Sequence, residues 1–267
     1  MAGRDQPLLK DNLLVKAAVE AGQIGMSFFE KASTNVWYKS GNSPVSQADQ
    51  EIDTFLRHFL LDTCPDHGWL SEETEDDAVR LENKRVFIVD PIDGTRGFIA
   101  GKKEWCISIA IVEDGRPIEG ILHCPALGKT IYAAKNKGIA VDGAFEEKSD
   151  LQRARPLVTG SSKLIESIRN IPGMPMDTTA FIPSLAYRLS LVATGQLDAA
   201  FARPGASEWD IAAADIILEE ARCILSDKNG QKLRYNRREV SSPALIATTV
   251  SRQTEILGLA NSSGILH

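Results

Sequence analysis

The chain has 267 residues, of which 43% are hydrophobic and 25% are charged, and its formal net charge is −6. This composition is typical of a soluble globular protein built as one large domain or two closely packed ones. The acidic balance argues against a nucleic acid polymer as a partner, and no apolar run is long enough to predict a membrane span.

The cysteines indicate neither a metal finger nor a disulfide framework. All four lie far apart and none forms a Cys-x-x-Cys pair: Cys64, Cys106, Cys124 and Cys223. Buried thiols in a reducing cytosol are the expected state. Residues 1–14 contain charges and no apolar core, so no signal peptide is predicted and we expect a cytoplasmic protein.

The first part of the chain predicts two amphipathic helices. Apolar residues recur at helical spacing over residues 8–32, where two glycines indicate close packing. Ser46-Gln47-Ala48-Asp49 has the form of a capping box, so a second helix should follow it and end at Cys64-Pro65. In this interpretation Asp49 is a first-turn acid that interacts favourably with the helix dipole, which requires no catalytic role.

The most informative stretch is a strand followed by two acids. Residues 86–89 are apolar and β-branched or aromatic, and Pro91 cannot donate to a ladder, so the strand is predicted to stop at Asp90. Asp93 is a favourable N-cap and Gly94 permits a tight turn, so a short helix is predicted to begin there. Carboxylates bind hard cations and helix N-termini bind phosphate. The two halves of a metal-assisted phosphate site are therefore adjacent in sequence.

Other interpretations of these acids are open. An Asp-turn-Asp-Gly sequence is also common in ordinary turns. Phosphatases that form an aspartyl-phosphate carry Asp-x-Asp-Gly-Thr, whereas Asp90 and Asp93 are three residues apart and Ile92 stands where the first acid is needed, which disfavours the covalent route. The acidic run at 72–77 is either solvated surface or a source of further metal ligands.

The rest of the chain separates into two patterns. Residues 105–143 predict a meander of strands, with Asp114-Gly115 in a hairpin loop expected to exceed two residues. The chain turns polar over residues 144–156, so we place a boundary there, with an N-terminal α+β domain at 1–150 and a C-terminal α/β domain at 151–267. Strands and helices alternate in the second part, which predicts an α/β layer arrangement: 157–159, 161–170, 184–194, 197–202 and 209–218.

Three motifs occur in the order that is characteristic of one known family. They are Leu70-Ser71-Glu72-Glu73, Asp90-Pro91-Ile92-Asp93-Gly94-Thr95 and Trp209-Asp210-Ile211-Ala212-Ala213. Two further segments match, Ser43-Pro44-Val45-Ser46-Gln47-Ala48-Asp49 and Leu191-Val192-Ala193-Thr194-Gly195. The chain thereby resembles the inositol monophosphatase superfamily over about residues 39–230. Each motif alone is weak evidence, whereas their combination in this order is highly specific. The resemblance implies a layered αβαβα sandwich, a lithium-inhibited and magnesium-dependent phosphomonoesterase, and a homodimer.

The resemblance also implies roles for individual residues. Metal ligands are implied at Glu72, Asp90, the Ile92 carbonyl, Asp93 and Asp210, and Asp49 would reach a further metal through water. Two or three Mg²⁺ ions per site are expected, with Mn²⁺ as a substitute, and donors that are all oxygen suit these cations better than zinc. Glu72, Thr95 and Asp49 are the implied catalytic residues, with Thr95 and Glu72 orienting the attacking water.

Substrate contacts follow from a comparison of branches within the family. Gly94-Thr95-Arg96-Gly97-Phe98 is similar to the corresponding run of the adenosine bisphosphate nucleotidases, and Arg188 stands where these enzymes carry Lys. Arg203 replaces a Glu that binds sugar hydroxyls in inositol phosphatases, and Pro183 replaces a Gly. The expected substrate-binding residues are Asp93, Gly94, Thr95, Ser184, Arg188, Arg203 and Asp210.

The best expectation for the substrate is a small phosphorylated metabolite, 3′-phosphoadenosine 5′-phosphate. Inositol monophosphate and histidinol phosphate are the alternatives, in which case Arg96, Arg188 and Arg203 are plain surface charges. A protein that binds metal and phosphate without catalysis is the alternative of a different class.

Overall fold

A computed structural model describes residues 11–29, 36–38, 44–146, 153–170 and 176–263. The helices are α1 Leu13–Phe29, α2 Gln47–Thr63, α3 Thr95–Ile99, α4 Ser162–Arg169, α5 Leu185–Ala193, α6 Glu208–Glu220 and α7 Gln253–Ser263. The strands are β1 Val36–Tyr38, β2 Pro44–Ser46, β3 Gly68–Ser71, β4 Arg85–Asp93, β5 Cys106–Glu113, β6 Arg116–Cys124, β7 Lys129–Ala134, β8 Gly138–Val141, β9 Ala144–Glu146, β10 Leu157–Thr159, β11 Asp177–Thr178, β12 Ala199–Ala202, β13 Cys223–Asp227 and β14 Leu245–Thr249. Parts of the predicted first helix, of the family resemblance and of the predicted boundary fall on residues 8–10, 30–32, 39–43 and 147–152, which lie outside the described residues.

A seven-stranded sheet contains strands β3 to β9 in sequence order. β3 and β4 are parallel, and every later neighbour pairs antiparallel, which confirms the predicted meander. The β5–β6 loop is shorter than predicted, because it contains only Asp114 and Gly115, with Glu113 paired to Arg116. Both loop residues have positive φ, 52° and 77°, which is the conformation that a two-residue hairpin requires.

Helices α1 and α2 cover one face of this sheet, and α5 and α6 cover the other. Phe87 and Val89 belong to the cluster that contains α1 and α2, whereas Val86 and Ile88 belong to the cluster of α5 and α6. This is the alternation that a strand buried on both faces produces. The glycines of α1 do allow close packing, since a Cβ on Gly25 would lie 2.8 Å from Trp105.

A second, five-stranded sheet has the order β11-β10-β12-β14-β13. Its residues contribute to the α5–α6 cluster on one side and to a cluster with α4 and α7 on the other. The layers are therefore α1–α2, first sheet, α5–α6, second sheet and α4–α7, which confirms the predicted αβαβα sandwich. No described helix has the length and apolar character needed to cross a membrane.

Candidate active site

The prediction that β4 stops at Asp90 is wrong. The strand runs to Asp93, with a shift of register between Asp90 and Asp93, and pairing resumes where Asp93 lies opposite Cys106. Pro91 falls within this irregularity, where its missing N–H breaks no regular ladder bond. The Ile92 N–H donates to Asp90 Oδ1 at 3.0 Å. The Asp90 side chain therefore stabilises the irregular backbone that follows it.

Three carboxylates from distant parts of the chain meet beside this turn. Glu72, Asp90 and Asp210 each place one oxygen within 4.8 Å of the others. Glu72 follows β3, the parallel neighbour of β4, so both acids extend from the same edge of the sheet. Asp210 lies in the first turn of α6, where its Oδ2 accepts the Ser207 N–H at 2.7 Å in a capping box.

Two carboxylates of this acidic cluster, Asp90 and Asp210, lie in an environment that disfavours their charge. Burial raises the pKa of Asp90 well above its usual range, and repulsion from Glu72 and Asp93 raises it further. Burial also raises the pKa of Asp210 well above its usual value, again with repulsion from Asp93 and Glu72. A divalent cation would relieve this repulsion.

The side chain of Asp93 contacts a different helix from the one predicted. The expected N-cap role for α3 is wrong, because Gly94, with φ +97°, occupies the N-cap position. The Asp93 carboxylate instead accepts the hydroxyl of Ser184 and the backbone N–H groups of Ala186 at 2.7 Å and Leu185 at 3.2 Å. These groups form the first turn of α5, so Asp93 connects β4 to the second half of the chain. Burial raises the pKa of Asp93 above its usual value, and these hydrogen bonds oppose part of that rise.

Asp49 caps α2 and also contacts Thr95. It completes the predicted capping box, accepting the Ser46 N–H at 2.8 Å, and its other oxygen accepts the Thr95 hydroxyl at 3.2 Å. Thr95 Oγ1 also lies 3.0 Å from the Ile92 carbonyl oxygen. Burial raises the pKa of Asp49, and its hydrogen bonds oppose that rise. The helix cap and the contact with Thr95 are thus compatible.

The corner before α5 fits closely against α3. A Cβ on Gly94 would lie 3.1 Å from the backbone nitrogen of Ser184, and one on Gly97 would lie 2.8 Å from the Cβ of Pro183. Pro183 therefore packs where Gly97 leaves room. This contact places Gly94 against the backbone of Ser184, whose hydroxyl donates to Asp93.

The three arginines proposed to contact substrate have different environments. Arg188 is only 5% exposed, its Nη1 donates to the Ile182 carbonyl at 3.2 Å, and its guanidinium lies 5.5 Å from the centre of the Phe181 ring. Its buried Nε has no hydrogen-bond partner within the described structure. Burial lowers the pKa of Arg188 to about 10, and Asp93 opposes that change. Arg96 and Arg203 are exposed, which is compatible with the alternative that they are plain surface charges. Arg188 is buried, so that alternative does not apply to it.

Asp53 is a residue that sequence reasoning missed. It is buried on α2, where it accepts the Ser71 hydroxyl and the Thr74 hydroxyl, the latter at 2.6 Å. These two hydroxyls flank Glu72, so Asp53 fixes the segment that carries a cluster acid. Asp53 follows Asp49 by four residues, so both lie on the same face of α2. Because that face is buried, this spacing could have indicated that Asp53 is a buried acid near the site.

The donor set fits a hard divalent cation. The clustered side chains are all carboxylates, the Ile92 carbonyl is adjacent, and carboxylate and carbonyl oxygens are the ligands that Mg²⁺ prefers. Cys106 is the nearby thiol, but it contacts Asp93 at 3.9 Å, and burial raises its pKa well above its usual value. The site therefore lacks the soft ligands typical of zinc.

Comparisons with known proteins identify the family and the fold. The model of the Inositol monophosphatase family matches residues 10–262. A 3′(2′),5′-bisphosphate nucleotidase, CysQ, of Aggregatibacter actinomycetemcomitans is 32% identical over 87% of this chain and 91% of its own length. A histidinol-phosphatase of Mycobacterium tuberculosis is 31% identical over 82% of this chain and 88% of its own. The solved structure of a Thermotoga maritima IMPase superposes with a TM-score of 0.81 at 26% identity, covering 93% of this chain and 95% of that one.

Proposed function

The chain belongs to the inositol monophosphatase family of phosphate-monoester hydrolases, and from this premise we propose that it is a Mg²⁺-dependent phosphatase whose substrate carries a second anionic group. The substrate that fits best is 3′-phosphoadenosine 5′-phosphate. Inhibition by lithium, a homodimeric state and a cytoplasmic location are proposed on the family resemblance.

The acidic cluster would hold the cations. Glu72, Asp90, the Ile92 carbonyl, Asp93 and Asp210 are the proposed ligands of two or three Mg²⁺ ions, with Mn²⁺ as a substitute. When bound, such ions supply positive charge that activates water and stabilises the departing alkoxide. Asp49 would reach a further ion through water.

The hydroxyl of Thr95 is oriented to accept a hydrogen bond from water. Its single proton has two acceptors in reach, Asp49 Oδ1 and the Ile92 carbonyl, so its two lone pairs would be left to accept a hydrogen bond from water. Together with the Glu72 carboxylate, Thr95 would orient the attacking water, while the Gly94 and Thr95 N–H groups hold the phosphate. No phosphoenzyme is required, because positioning and charge neutralisation account for most of phosphoryl transfer.

The buried guanidinium of Arg188 is the reason for proposing a substrate with a second anionic group. A buried donor without a partner costs free energy, and an anionic group of the substrate would satisfy it. The second phosphate of an adenosine bisphosphate is such a group. Histidinol phosphate carries cationic nitrogen groups, which a buried arginine repels, and inositol monophosphate offers only neutral hydroxyls beyond its phosphate.

The experiment compares phosphate release from 3′-phosphoadenosine 5′-phosphate, inositol 1-phosphate and histidinol phosphate with Mg²⁺ present. We expect the highest kcat/KM for the bisphosphate. Arg188→Met should lower that value by roughly 10- to 100-fold, the size expected for a charge-assisted hydrogen bond, and should change kcat/KM for inositol phosphate little. Arg203→Met is the matched control at an exposed arginine and should have a smaller effect.

The other outcomes assign the protein differently. A preference for inositol phosphate or histidinol phosphate that survives Arg188→Met would refute the bisphosphate proposal. If none of the three substrates releases phosphate, the non-catalytic binding protein becomes the better account. Acid-stable labelling of Asp90 by substrate phosphate would restore the aspartyl-phosphate route.

A further inference from the structure

A buried arginine outside the acidic cluster connects two distant segments by hydrogen bonds. Arg80 lies in the 3₁₀ helix Ala78–Glu82 and is 2% exposed. Its Nε and Nη2 donate to the carboxylate of Asp76 at 2.6 and 2.8 Å. Its Nη1 donates to Asn236 Oδ1 at 2.6 Å, and its Nη2 also donates to the Arg237 carbonyl at 2.8 Å. One guanidinium therefore connects segments 156 residues apart in sequence.

The segment on the far side of Arg80 is held in turn by Glu208. The N–H groups of Asn236 and Arg237 donate to the two oxygens of the Glu208 carboxylate at 2.7 and 3.2 Å. The Arg237 side chain adds an ion pair to Glu208 at 3.2 Å. Glu208 is fully buried and is the first residue of α6, two residues before Asp210.

The segment on the near side carries Glu72. Asp76 follows Glu72 by four residues in a stretch without regular secondary structure. Asp53 fixes this stretch at Ser71 and Thr74, so Asp76 and Arg80 provide its next anchor along the chain. A continuous series of bonds thus leads from the Glu72 segment through Asp76, Arg80 and the 236–237 loop to Glu208 and the start of α6.

We infer that Arg80 is a positioning residue that holds Glu72 and Asp210 at the separation a metal ion requires. The inference rests on the proposed metal site. Like-charged carboxylates repel each other when no cation is present, so their spacing must be imposed by contacts outside the cluster. The planar fork of an arginine can impose it, because it bonds a carboxylate and two further acceptors in fixed geometry. Arg80 is buried whereas the Asp76 side chain is 40% exposed, and neither exposed nor buried ion pairs add much net stability, so positional specificity is the better account of this one.

The test measures metal binding directly by titrating the metal-free protein with Mn²⁺ in a calorimeter. Arg80→Met should weaken Mn²⁺ binding by about tenfold, the lower end of the effect of residues that orient metal ligands. The Mg²⁺ concentration for half-maximal phosphate release should rise by a similar factor, while kcat at saturating Mg²⁺ changes little. Arg80→Lys should recover part of the affinity, because an ammonium group can still reach Asp76.

Arg116 provides a matched control. It also joins the first sheet to the chain before β14, donating to the Leu233 carbonyl at 2.6 Å and to Glu219 at 2.7 Å. Glu219 lies at the opposite end of α6 from Asp210. Arg116→Met should therefore lower the unfolding temperature and leave Mn²⁺ affinity unchanged.

The possible results separate this inference from the proposed function. If the wild-type protein binds no Mn²⁺, the proposed metal site fails. If the wild type binds and Arg80→Met binds equally well, or if Arg116→Met weakens binding to the same degree, the positioning role of Arg80 is refuted. If Arg80→Met does not fold, Arg80→Lys and Asp76→Asn replace it, with weaker Mn²⁺ binding expected for both and unchanged binding counting against the inference.

Discussion

Asp90 and Asp93 are three residues apart, and burial raises the pKa of both, but their polar neighbours differ. Asp90 faces the carboxylates of Glu72 and Asp210, and its pKa is raised well above the usual range by burial and by these charges. Asp93 is surrounded by donors from Ser184, Leu185 and Ala186, which stabilise its charged form. The first arrangement costs stability until a cation binds, whereas the second contributes to the fold itself.

Asparagine at either position should therefore lower activity, but the two substitutions should change the unfolding temperature in opposite directions. Both Asp90→Asn and Asp93→Asn should lower phosphate release by about a hundredfold or more, as expected when one preorganised electrostatic contact is lost. In metal-free buffer, Asp90→Asn should raise the unfolding temperature because it removes a buried charge. Asp93→Asn should lower it, because an amide nitrogen would face the donors of α5. Calorimetric unfolding in chelator checks this, and equal shifts for both variants would contradict the assignment.

At the scale of elements, the site depends on the contact between α3 and the corner that begins α5. Gly97 leaves space that Pro183 fills, and Gly94 leaves space for the backbone of Ser184. The position of Thr95 on α3 and the donors to Asp93 on α5 are set by the same contact. A displacement of either helix would therefore disturb both.

A methyl group at this contact should reduce activity, and a smaller partner should restore it. In Gly97→Ala the new Cβ would lie 2.8 Å from Pro183, so α3 or the corner must shift. We expect kcat to fall by roughly tenfold to a hundredfold, since small misplacements at a reacting centre have effects of this size. The double variant Gly97→Ala, Pro183→Gly should regain most of the loss. If Gly97→Ala lowers activity by the same factor in the Pro183→Gly background as in the wild type, a clash with Pro183 is not the explanation.

Local patterns predicted most of these elements, and long-range contacts account for what they missed. Helices α4, α5 and α6 begin after Ser161, Ser184 and Ser207, so their starts were readable from the sequence. Strands β13 and β14 were not predicted, because a fully buried strand such as β14 shows no alternation. The bonds from α5 to Asp93 span more than ninety residues and leave no local signal. Of the candidate site, the acids were predictable, and the buried state of Arg188 was not.

At the scale of the whole molecule, α5 and α6 form a layer that both sheets share. One apolar cluster contains residues of both sheets, among them Val86 and Leu245, together with residues of these helices. At Gly120 the first sheet approaches α6 so closely that a Cβ would lie 3.0 Å from the backbone of Ala213. The domain boundary at residue 150 stays a prediction, and a shared core favours joint unfolding of the two parts.

A buried acid in this shared layer should make stability depend on pH. Asp215 of α6 accepts the Tyr235 hydroxyl at 2.9 Å and lies 3.6 Å from Arg116 of β6. Burial raises the pKa of Asp215 from 3.8 to about 6, so the native state keeps this proton to higher pH than the unfolded state. Stability from this group is therefore full below about pH 4 and is lost as pH rises to about 6.

Asp215→Asn should remove this part of the pH dependence. The free energy of unfolding of the variant, minus that of the wild type, should increase by roughly 2 kcal/mol between about pH 4 and pH 7. Urea unfolding of both proteins at several pH values measures it, and comparison of the two cancels the other titrating groups. A difference that stays constant with pH would show that Asp215 does not titrate in this range.

The shared helical layer also has a consequence for biosynthesis. A chain emerges from the ribosome with its N-terminus first, and its parts begin to fold as they appear. All strands of the first sheet have been synthesised by residue 146, yet the helices that cover its Val86 face come only at Leu185–Ala193 and Glu208–Glu220. The nascent sheet therefore presents an apolar face that a chaperone can bind. Because Asp210 lies on the last of these helices, a nascent chain that ends before residue 210 lacks one of the three carboxylates of the acidic cluster.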